Sequence, residues 1–294
     1  MAASENIVVT GATGKLGRLV IAELLRIAPR AHVIGLVRKA SGAQDLAARG
    51  VELREANYDN SASITAALAG ADKVLLISSN AVGQRVPQHR NVIDAAKAAG
   101  VKLLAYTSIL RADTNPMPLA EEHRATEALI RSSGVPSVLL RNGWYSENYT
   151  GNVAAVIQSG TVLGAAGDGR ISSAARADYA AAAAAVLASD AKSQAGKVYE
   201  LAGDTAYTLS EFAAEIARQS GKPVLYTNLS AEAYRAALVS VGLPESFARI
   251  YADSEATVGS GTLYGASGDL SKLIGRRTTP VVQSIAAALA APGV

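Results

Sequence analysis

The sequence predicts an α/β fold in which a doubly wound parallel sheet is followed by a smaller, mostly helical C-terminal domain. Short apolar runs alternate with helical patterns through the first half of the chain. A glycine-rich turn separates the first apolar run from the first helical pattern. The alternation loosens after Tyr149, where helical patterns dominate. Strands that are apolar throughout and are each followed by a helix are typical of parallel sheets covered on both faces.

Apolar runs rich in β-branched residues indicate the buried strands of this sheet. They cover residues 7–10, 32–38, 51–54, 73–78, 102–108 and 137–141. Helical spacing of apolar residues predicts the intervening helices. These span residues 16–27, 44–49, 61–68, 87–99 and 119–132. Crossovers between such strands are right-handed. The ligand crevice of such a sheet lies at the carboxyl ends of the strands, where the strand order reverses.

The second half of the chain predicts mostly helices, with two strands at residues 198–201 and 224–226. The helices are expected at residues 172–187, 210–219, 231–241, 245–253 and 279–289. We therefore divide the chain into a sheet domain, residues 1–150, and a smaller domain, residues 151–294, that covers the ligand crevice. Residues 175–203 are expected to pack back on the sheet domain, and the strand at 198–201 to join its sheet.

The composition argues against several classes of function. The net charge is only +3 and no block of like charges occurs, which gives no support to nucleic acid binding. The chain contains no cysteine, so disulfides, thiolate nucleophiles and cysteine-bound zinc are excluded. We expect no metal site. The N-terminus lacks a signal-peptide pattern, and no apolar stretch is long enough to span a bilayer. A soluble cytoplasmic protein is therefore expected.

The turn after the first strand carries three glycines, Gly11, Gly14 and Gly17. Glycine lets a pyrophosphate approach the free N–H groups at a helix N-terminus. The spacing is one residue longer than the usual dinucleotide motif, and a glycine triplet alone also fits a plain strand-to-helix turn. Its place between a strand and a helix favours a dinucleotide. The residues expected to bind the phosphates of NAD(P) are Gly11, Ala12, Thr13, Gly14, Lys15, Leu16 and Gly17.

The end of the second strand indicates which dinucleotide is bound. An acidic residue there would bind the ribose hydroxyls of NAD and repel the 2′-phosphate of NADP. This chain has Arg38 and Lys39 instead, and no acid follows until Asp45. A guanidinium group binds a phosphate dianion through paired donors. We therefore predict a preference for NADPH over NADH; the alternative is that both cations only belong to a solvated loop.

Two further segments lie at strand ends where a cofactor would pass. Asn57 follows the third strand, and it or its neighbour can hydrogen-bond the adenine amino group. The alternative is an Asx-type helix cap, which residues 59–61 also fit, and both interpretations stay open. The fourth strand ends in small residues beside which the cofactor can lie. These are Ser78, Ser79 and Asn80.

The usual proton donor of a carbonyl reductase is missing. Short-chain dehydrogenases supply a Tyr-x-x-x-Lys pair after the fifth strand, where this chain has Leu119 and His123. The protein therefore either senses the cofactor without chemistry or reduces an acceptor that needs little acid catalysis, such as a quinone. His123 is a candidate catalytic residue, because it can orient the nicotinamide ribose or donate a proton. The alternative is a surface histidine paired with Glu127 on the same helix.

The segment that leaves the sixth strand is the other candidate site. Asn142 and Gly143 can bring the backbone close to a nicotinamide. Trp144, Tyr145 and Tyr149 can form a flat wall on which a planar ring stacks. The alternative is that these aromatic residues are core residues packed between the two domains.

These motifs resemble the NmrA-like atypical short-chain dehydrogenases, and most closely their bacterial NADPH-dependent quinone oxidoreductases. The blocks that carry the resemblance are VTGATGKLG at 9–17, GQRVPQHRN at 83–91 and LLRNGWYSENY at 139–149. Shorter blocks at 164–169, 176–179, 199–204, 240–244 and 270–275 extend it over essentially the whole chain. The third block is much more specific than the glycine turn, which many relatives share.

The resemblance implies a Rossmann domain and a small C-terminal domain, with NADPH between them and a quinone stacked near the nicotinamide. Carried over by position, it adds a set of cofactor-binding residues to the glycine turn. These are Arg38, Ser78, Ser79, Asn80, Asn142, Gly143, Trp144, Tyr145, Ser146 and Glu147. Lys15 replaces a more usual glutamine, and Asn57 replaces a more usual aspartate.

The function predicted on this basis is direct hydride transfer from NADPH to a quinone, without a flavin. Tyr145 is assigned to the quinone step, together with His123 as the second candidate catalytic residue. Two related classes give the alternatives. The triphenylmethane dye reductases share the architecture and reduce cationic dyes, and the NmrA-type regulators read the redox state of NADP without catalysis. The oligomeric state stays open.

Overall fold

The structure is a computed structural model that describes residues 4–291. Residues 1–3, which entered the signal-peptide argument, lie outside the described part. The strands are β1 Asn6–Val9, β2 His32–Val37, β3 Glu52–Glu55, β4 Lys73–Leu76, β5 Leu103–Ile109, β6 Ser137–Asn142, β7 Thr161–Gly164, β8 Val198–Leu201 and β9 Leu225–Asn228.

Fourteen α-helices occur among the described residues. They are α1 Lys15–Ile27, α2 Gln44–Ala47, α3 Ser61–Ala67, α4 Arg85–Ala98, α5 Pro118–Ser133, α6 Glu147–Thr150, α7 Val153–Ser159, α8 Arg176–Ala188, α9 Ala191–Gln194, α10 Leu209–Ser220, α11 Ala231–Ser240, α12 Glu245–Ala256, α13 Asp269–Ile274 and α14 Val281–Leu289. No helix within residues 4–291 is both long enough and apolar enough to cross a membrane.

Seven strands form one sheet in the order β3-β2-β1-β4-β5-β6-β8. The five pairs from β3 to β6 are all parallel. The chain runs outward from β1 to β3 and then from β4 to β6 on the other side, so the strand order reverses between β1 and β4. The predicted α/β, doubly wound sheet is confirmed. A ligand of such a sheet binds beyond the carboxyl ends of β1 and β4.

The chain divides into two compact units. The first comprises Met1–Ile109, Glu122–Asn142 and Ala177–Tyr199, and the second Leu110–Glu121, Gly143–Arg176 and Glu200–Val294. The domain boundary expected at residue 150 stays a prediction. Side chains from the central strands, such as Val8, Ile34, Val74 and Leu104, are buried in the core of the first unit. In the second unit, β7 and β9 form a separate parallel pair.

A buried lysine attaches the end of α8 to the sheet. The ammonium group of Lys73 on β4 lies 2.6 Å from the Glu5 carboxylate. It also donates to the carbonyl oxygens of Leu187 at 3.1 Å and Ser189 at 2.8 Å. These carbonyls lack partners inside the helix because they lie at its C-terminal end. A buried ammonium group is tolerated here because all three acceptors surround it.

Most predicted elements begin and end close to the observed ones, but the start of the helix predicted at 172 is wrong. The helix α8 begins at Arg176. Ile171 and Ala174 are instead held in extended backbone, in single bridges to Tyr207 and Tyr145. These bridges join residues far apart in sequence, so no local pattern marks them. The helices α6 and α7 and the strand β7 were not predicted.

Candidate functional site

The turn between β1 and α1 presents an uncapped helix N-terminus. Gly11 has a φ of +59°, which favours glycine, and its carbonyl accepts the N–H of Gly14 at 2.9 Å. The helix begins at Lys15, and among the described residues no side chain caps it and no acid lies in its first turn. Thr13, Gly14 and Lys15 are exposed. Free N–H groups and the helix dipole there attract an anion.

Two buried glycines, Gly17 on α1 and Gly35 on β2, allow these elements to pack closely against the turn. A Cβ at Gly17 would lie 2.3 Å from the Gly11 carbonyl oxygen, so α1 approaches the turn as only glycine allows. A Cβ at Gly35, in the middle of β2, would lie 3.0 Å from the Ala12 Cβ. Sequence reasoning missed Gly35, although a glycine inside a strand is itself a sign of close backbone approach. Ala12 and Leu16 are buried.

The cations after β2 are available to a ligand. Arg38 and Lys39 are exposed, and neither side chain has a hydrogen bond or ion pair within residues 4–291. Asp45, the first acid after β2, forms an ion pair with Arg18, which also donates to the Thr13 carbonyl at 3.2 Å. The hydrogen bond from Arg18 lowers the pKa of Asp45. Asp45 is therefore already paired, and the Glu55 carboxylate at the end of β3 accepts the N–H of Ala40 at 2.7 Å. Arg18, which sequence reasoning missed, adds a cation beside the turn.

The residues after β3 form a local cap and a link between strands. The Asn57 side-chain oxygen accepts the N–H of Asp59 at 3.2 Å, and Asn60 caps α3 through the N–H of Ser63. The cap interpretation of this stretch is therefore correct for Asn60, and the adenine contact of the exposed Asn57 stays a prediction. The Tyr58 hydroxyl donates to Thr10 Oγ1 at 2.6 Å, which fixes this loop to the end of β1.

The segment after β4 is held in place by α4. The Ser79 N–H donates to His89 Nε2 at 2.9 Å, and its hydroxyl donates to Gln88 Oε1 at 2.5 Å. Burial lowers the pKa of His89 to about 3, with the charge of Arg85 as a smaller cause. His89 is therefore neutral, as an acceptor at Nε2 must be. The Ser78 N–H donates to a strand hydroxyl at 2.9 Å, and Asn80 is exposed.

His123 lies in a buried chain of polar groups and not on the surface. Its Nδ1 atom lies 2.8 Å from the Tyr106 hydroxyl, and its Nε2 atom lies 3.4 Å from an Arg85 guanidinium nitrogen. Arg85 also donates to the Ser79 carbonyl at 2.5 Å. The predicted alternative of a surface histidine paired with Glu127 is wrong, because the His123 side chain is only 4% exposed.

The environment of His123 keeps it neutral. Burial lowers its pKa well below the ordinary value, and the charge of Arg85 acts in the same direction. Because Arg85 donates to Nε2, we assign the ring proton to Nδ1, which then donates to Tyr106. The imidazole thus supports the arginine that holds Ser79. Arg85 and Tyr106 are further residues that sequence reasoning missed, because they come from α4 and β5.

Glu122 fixes the loop that joins Asn80 to α4. One of its carboxylate oxygens accepts the N–H groups of Gly83 at 3.0 Å and Arg85 at 3.2 Å. Two donors at the N-terminus of α4 are thereby satisfied by a residue from α5. This contact depends on the packing of α5 against α4, and no cap pattern in the sequence marks it.

The end of β6 is fixed by a buried ion pair. The Arg141 guanidinium donates to both oxygens of Glu127, at 2.9 Å and 2.7 Å, and both side chains are buried. The Ser108 hydroxyl donates to the same carboxylate at 2.6 Å. Glu127 is therefore the partner of Arg141. This pair sets the position of Asn142, the next residue, which is also buried.

In the second unit, residues 143–147 are held by backbone and side-chain bonds. The Gly143 N–H donates to the Leu201 carbonyl at 2.7 Å. The Tyr145 ring lies under the Arg176 guanidinium, 4.7 Å from the ring centroid. The Glu147 carboxylate accepts the N–H of Arg176 at 3.0 Å, and Ser146 is buried. Trp144 and Tyr145 are partly exposed. Tyr145 is thus a partly exposed ring that packs against Arg176.

The chain is similar to known proteins over nearly its whole length. The chain is 54% identical over 279 residues to Quinone oxidoreductase 2 of Escherichia coli (strain K12), covering 95% of this chain and 97% of that protein. It is 29% identical to an NAD(P)H azoreductase of Xenophilus azovorans, covering 92% of this chain and 93% of that protein.

Two solved structures also match nearly the whole chain. The crystal structure of the NADPH-dependent quinone oxidoreductase QOR2 from Escherichia coli, complexed with NADPH, matches with a TM-score of 0.93 and 53% identity, covering 96% of this chain and 99% of that one. The Citrobacter sp. triphenylmethane reductase complexed with NADP(H) matches with a TM-score of 0.91 and 38% identity, again covering 96% and 99%. The model of the NmrA-like family matches residues 3–281, and the chain therefore belongs to the NmrA-like family.

Proposed function

We propose that this chain is an NADPH-dependent quinone oxidoreductase that transfers hydride without a flavin. The observation that carries the proposal is the 53% identity, over 96% of the chain, to a quinone oxidoreductase with NADPH bound. The site geometry supports it. The turn at residues 11–17 offers bare glycine backbone and an uncapped helix N-terminus, which fit a pyrophosphate. Arg38 and Lys39 offer cations to a 2′-phosphate.

NADPH would supply the hydride when bound, and the residues of the chain would hold the cofactor and the acceptor in place. Arg85, supported by His123, holds the carbonyl of Ser79, and His89 holds its N–H. The ion pair between Glu127 and Arg141 fixes the end of β6, directly before Asn142. We place His123 as a positioning residue, because a neutral, buried imidazole that is bonded at both nitrogens is a poor proton donor. Holding donor and acceptor at reacting distance is itself a large part of catalysis.

Tyr145 is the residue that we assign to the acceptor. Its ring is fixed by Arg176 on one side and is partly exposed, so a planar quinone can stack on the remaining surface. The partner is therefore a quinone or a similar planar aromatic acceptor. The cytoplasmic location and the lack of a nucleic acid partner that the sequence suggests stay predictions.

The function is tested by mixing the purified protein with NADPH and either menadione or malachite green. We expect NADPH absorbance to fall with menadione. The similarity to the triphenylmethane reductase makes a dye reductase the second candidate, and decolourisation of malachite green without menadione turnover would favour it. Tight NADP binding without turnover of either acceptor would favour a regulator and contradict the proposal.

Arg38→Ala tests the cofactor preference. We expect the KM for NADPH to rise at least about tenfold, since the lost charge-assisted bonds are worth about 1.5–3 kcal/mol each. The KM for NADH should stay within about twofold, because NADH has no 2′-phosphate. Lys39→Ala is the matched control and should change either KM less than Arg38→Ala does. Equal losses for the two cofactors would contradict the assignment of Arg38.

A further inference from the structure

The guanidinium group of Arg176 lies over the ring of Tyr145, and backbone contacts fix this arrangement. The central carbon of the guanidinium is 4.7 Å from the ring centroid. A single parallel bridge joins the backbone at Tyr145 to the backbone at Ala174. The Ser146 N–H donates to the Ala174 carbonyl at 2.9 Å, and the Ala174 N–H donates to the Trp144 carbonyl at 3.3 Å. The two side chains are therefore held together by residues of the second unit alone.

The positive charge of Arg176 is only partly compensated. Its side chain is 14% exposed, and its ion pair with Glu147 is long, with 4.0 Å between Nη1 and Oε1. Both Glu147 oxygens instead accept the backbone N–H of Arg176, each at 3.0 Å, at the start of α8. No side-chain nitrogen of Arg176 has a hydrogen bond to another residue in the described part of the chain. The charge is therefore screened less than that of a solvated arginine.

Quinone reduction moves a negative charge onto the acceptor. A C–H bond of the reduced nicotinamide breaks, and its hydrogen bonds to the acceptor together with both electrons. The acceptor becomes a hydroquinone monoanion, which takes one proton from solvent to give the hydroquinone. A neutral acceptor thus gains an anionic charge along the reaction. A fixed cation near it therefore stabilises the transition state more than it stabilises the bound quinone.

We propose that Arg176 is a specificity-determining residue, which stabilises the negative charge that the quinone acquires. This inference rests on the proposed function, which assigns the acceptor to Tyr145. A ring stacked on Tyr145 at a centroid distance of about 4.5 Å lies roughly 9 Å from the guanidinium. Opposite charges at that distance, in an effective dielectric constant of about 20, change an equilibrium roughly twentyfold. Glu147 offsets part of this attraction, so we expect about tenfold.

Two naphthoquinones of nearly equal shape test this charge preference by binding alone. Menadione is neutral, whereas 2-hydroxy-1,4-naphthoquinone is an anion at pH 7 and so resembles the hydroquinone monoanion. Titration calorimetry measures the Kd of each compound for the protein saturated with NADP+, where no turnover occurs. Arg176→Gln should raise the Kd of the anionic naphthoquinone about tenfold and leave the Kd of menadione within about twofold.

Arg176→Lys and Arg249→Gln are the matched controls. Arg176→Lys keeps the positive charge, so the Kd of the anionic naphthoquinone should stay within about threefold. Arg249→Gln makes the same chemical change at a side chain that is 72% exposed, and it should alter neither Kd. The backbone N–H that Glu147 accepts is present in all these variants, so the fold should persist, as far-UV circular dichroism will check.

Single-turnover oxidation of NADPH by menadione tests the same charge during the reaction. Arg176→Gln should lower the rate constant at saturating menadione about fivefold, because only part of the negative charge has developed in the transition state. Arg176→Lys should restore most of this loss. The Kd for NADPH should stay within about twofold in both variants, since the phosphates of the cofactor are assigned to residues 11–17 and 38–39.

The outcomes separate this inference from the proposed function. If the unchanged protein turns over menadione, three results would overturn the inference alone. They are an undetectable or unaltered affinity for the anionic naphthoquinone, an equal loss for both naphthoquinones, and a loss of NADPH affinity as large as the loss for the anion. The last two would assign the charge of Arg176 to the fold or to the cofactor. NADPH binding without any menadione turnover by the unchanged protein would instead overturn the proposed function, and this inference with it.

Discussion

Replacing Gly14 with valine is expected to raise the Kd for NADPH at least about 100-fold while the fold persists. A Cβ at this position would lie 3.1 Å from the Gly11 carbonyl oxygen, and the two γ-carbons would fill exposed space at the N-terminus of α1. Two backbone bonds to a charged phosphate would be lost. At about 1.5 kcal/mol each, this corresponds to roughly a hundredfold in affinity.

Titration calorimetry measures this change, and a matched control is available in the same chain. Gly259 is exposed, and a Cβ added there meets no atom within 4 Å, so Gly259→Val introduces the same side chain in open space. Its Kd for NADPH should equal that of the unchanged protein. Wild-type affinity in Gly14→Val, with an unchanged melting temperature, would show that the pyrophosphate binds elsewhere.

Replacing Glu127 with alanine is expected to lower the free energy of unfolding by about 3–5 kcal/mol. The substitution removes two charge-assisted bonds from the buried Arg141 guanidinium and the acceptor of the Ser108 hydroxyl. Breaking a buried pair by removing one partner costs this much because the remaining charge stays in a medium of low polarity. The free energy is obtained from urea denaturation at constant m-value.

Arg131→Ala is the control for this experiment, because it removes a different partner of the same carboxylate. The Arg131 side chain is 53% exposed, and its ion pair with Glu127 measures 2.8 Å. Exposed pairs contribute about 0–1 kcal/mol, so the loss should be small. A loss in Glu127→Ala no greater than in Arg131→Ala would refute the structural role given to the buried pair.

The strands and helices of the first unit were predictable because their signals are local. The strand β1 and the helix α1 lie within one residue of the predicted bounds, since an apolar run and a glycine turn occur side by side in the sequence. The stretch from α6 to β7 was missed. The helix α6 and the strand β7 contain four residues each, which is too short for a hydrophobic period to appear.

The residues of the candidate site also fall into those that local sequence signals predict and those that depend on tertiary packing. The glycine turn and the position of Arg38 follow from strand ends alone. The surroundings of His123 do not, because Tyr106 and Arg85 reach it from β5 and α4. Its spacing from Glu127 suggested a surface pair, whereas Glu127 instead binds Arg141 from β6. Burial, which decides the charge of such groups, depends on how separate elements pack.

The sequence by itself determined the parallel sheet, the glycine turn and the family, since each depends on residues that are neighbours along the chain. Only the tertiary structure decided that His123 is a neutral support for Arg85 and that Glu127 pairs with the buried Arg141. The physical reason is that hydration, and with it the pKa of an ionisable group, is set by every element packed around it. No stretch of sequence contains that information alone.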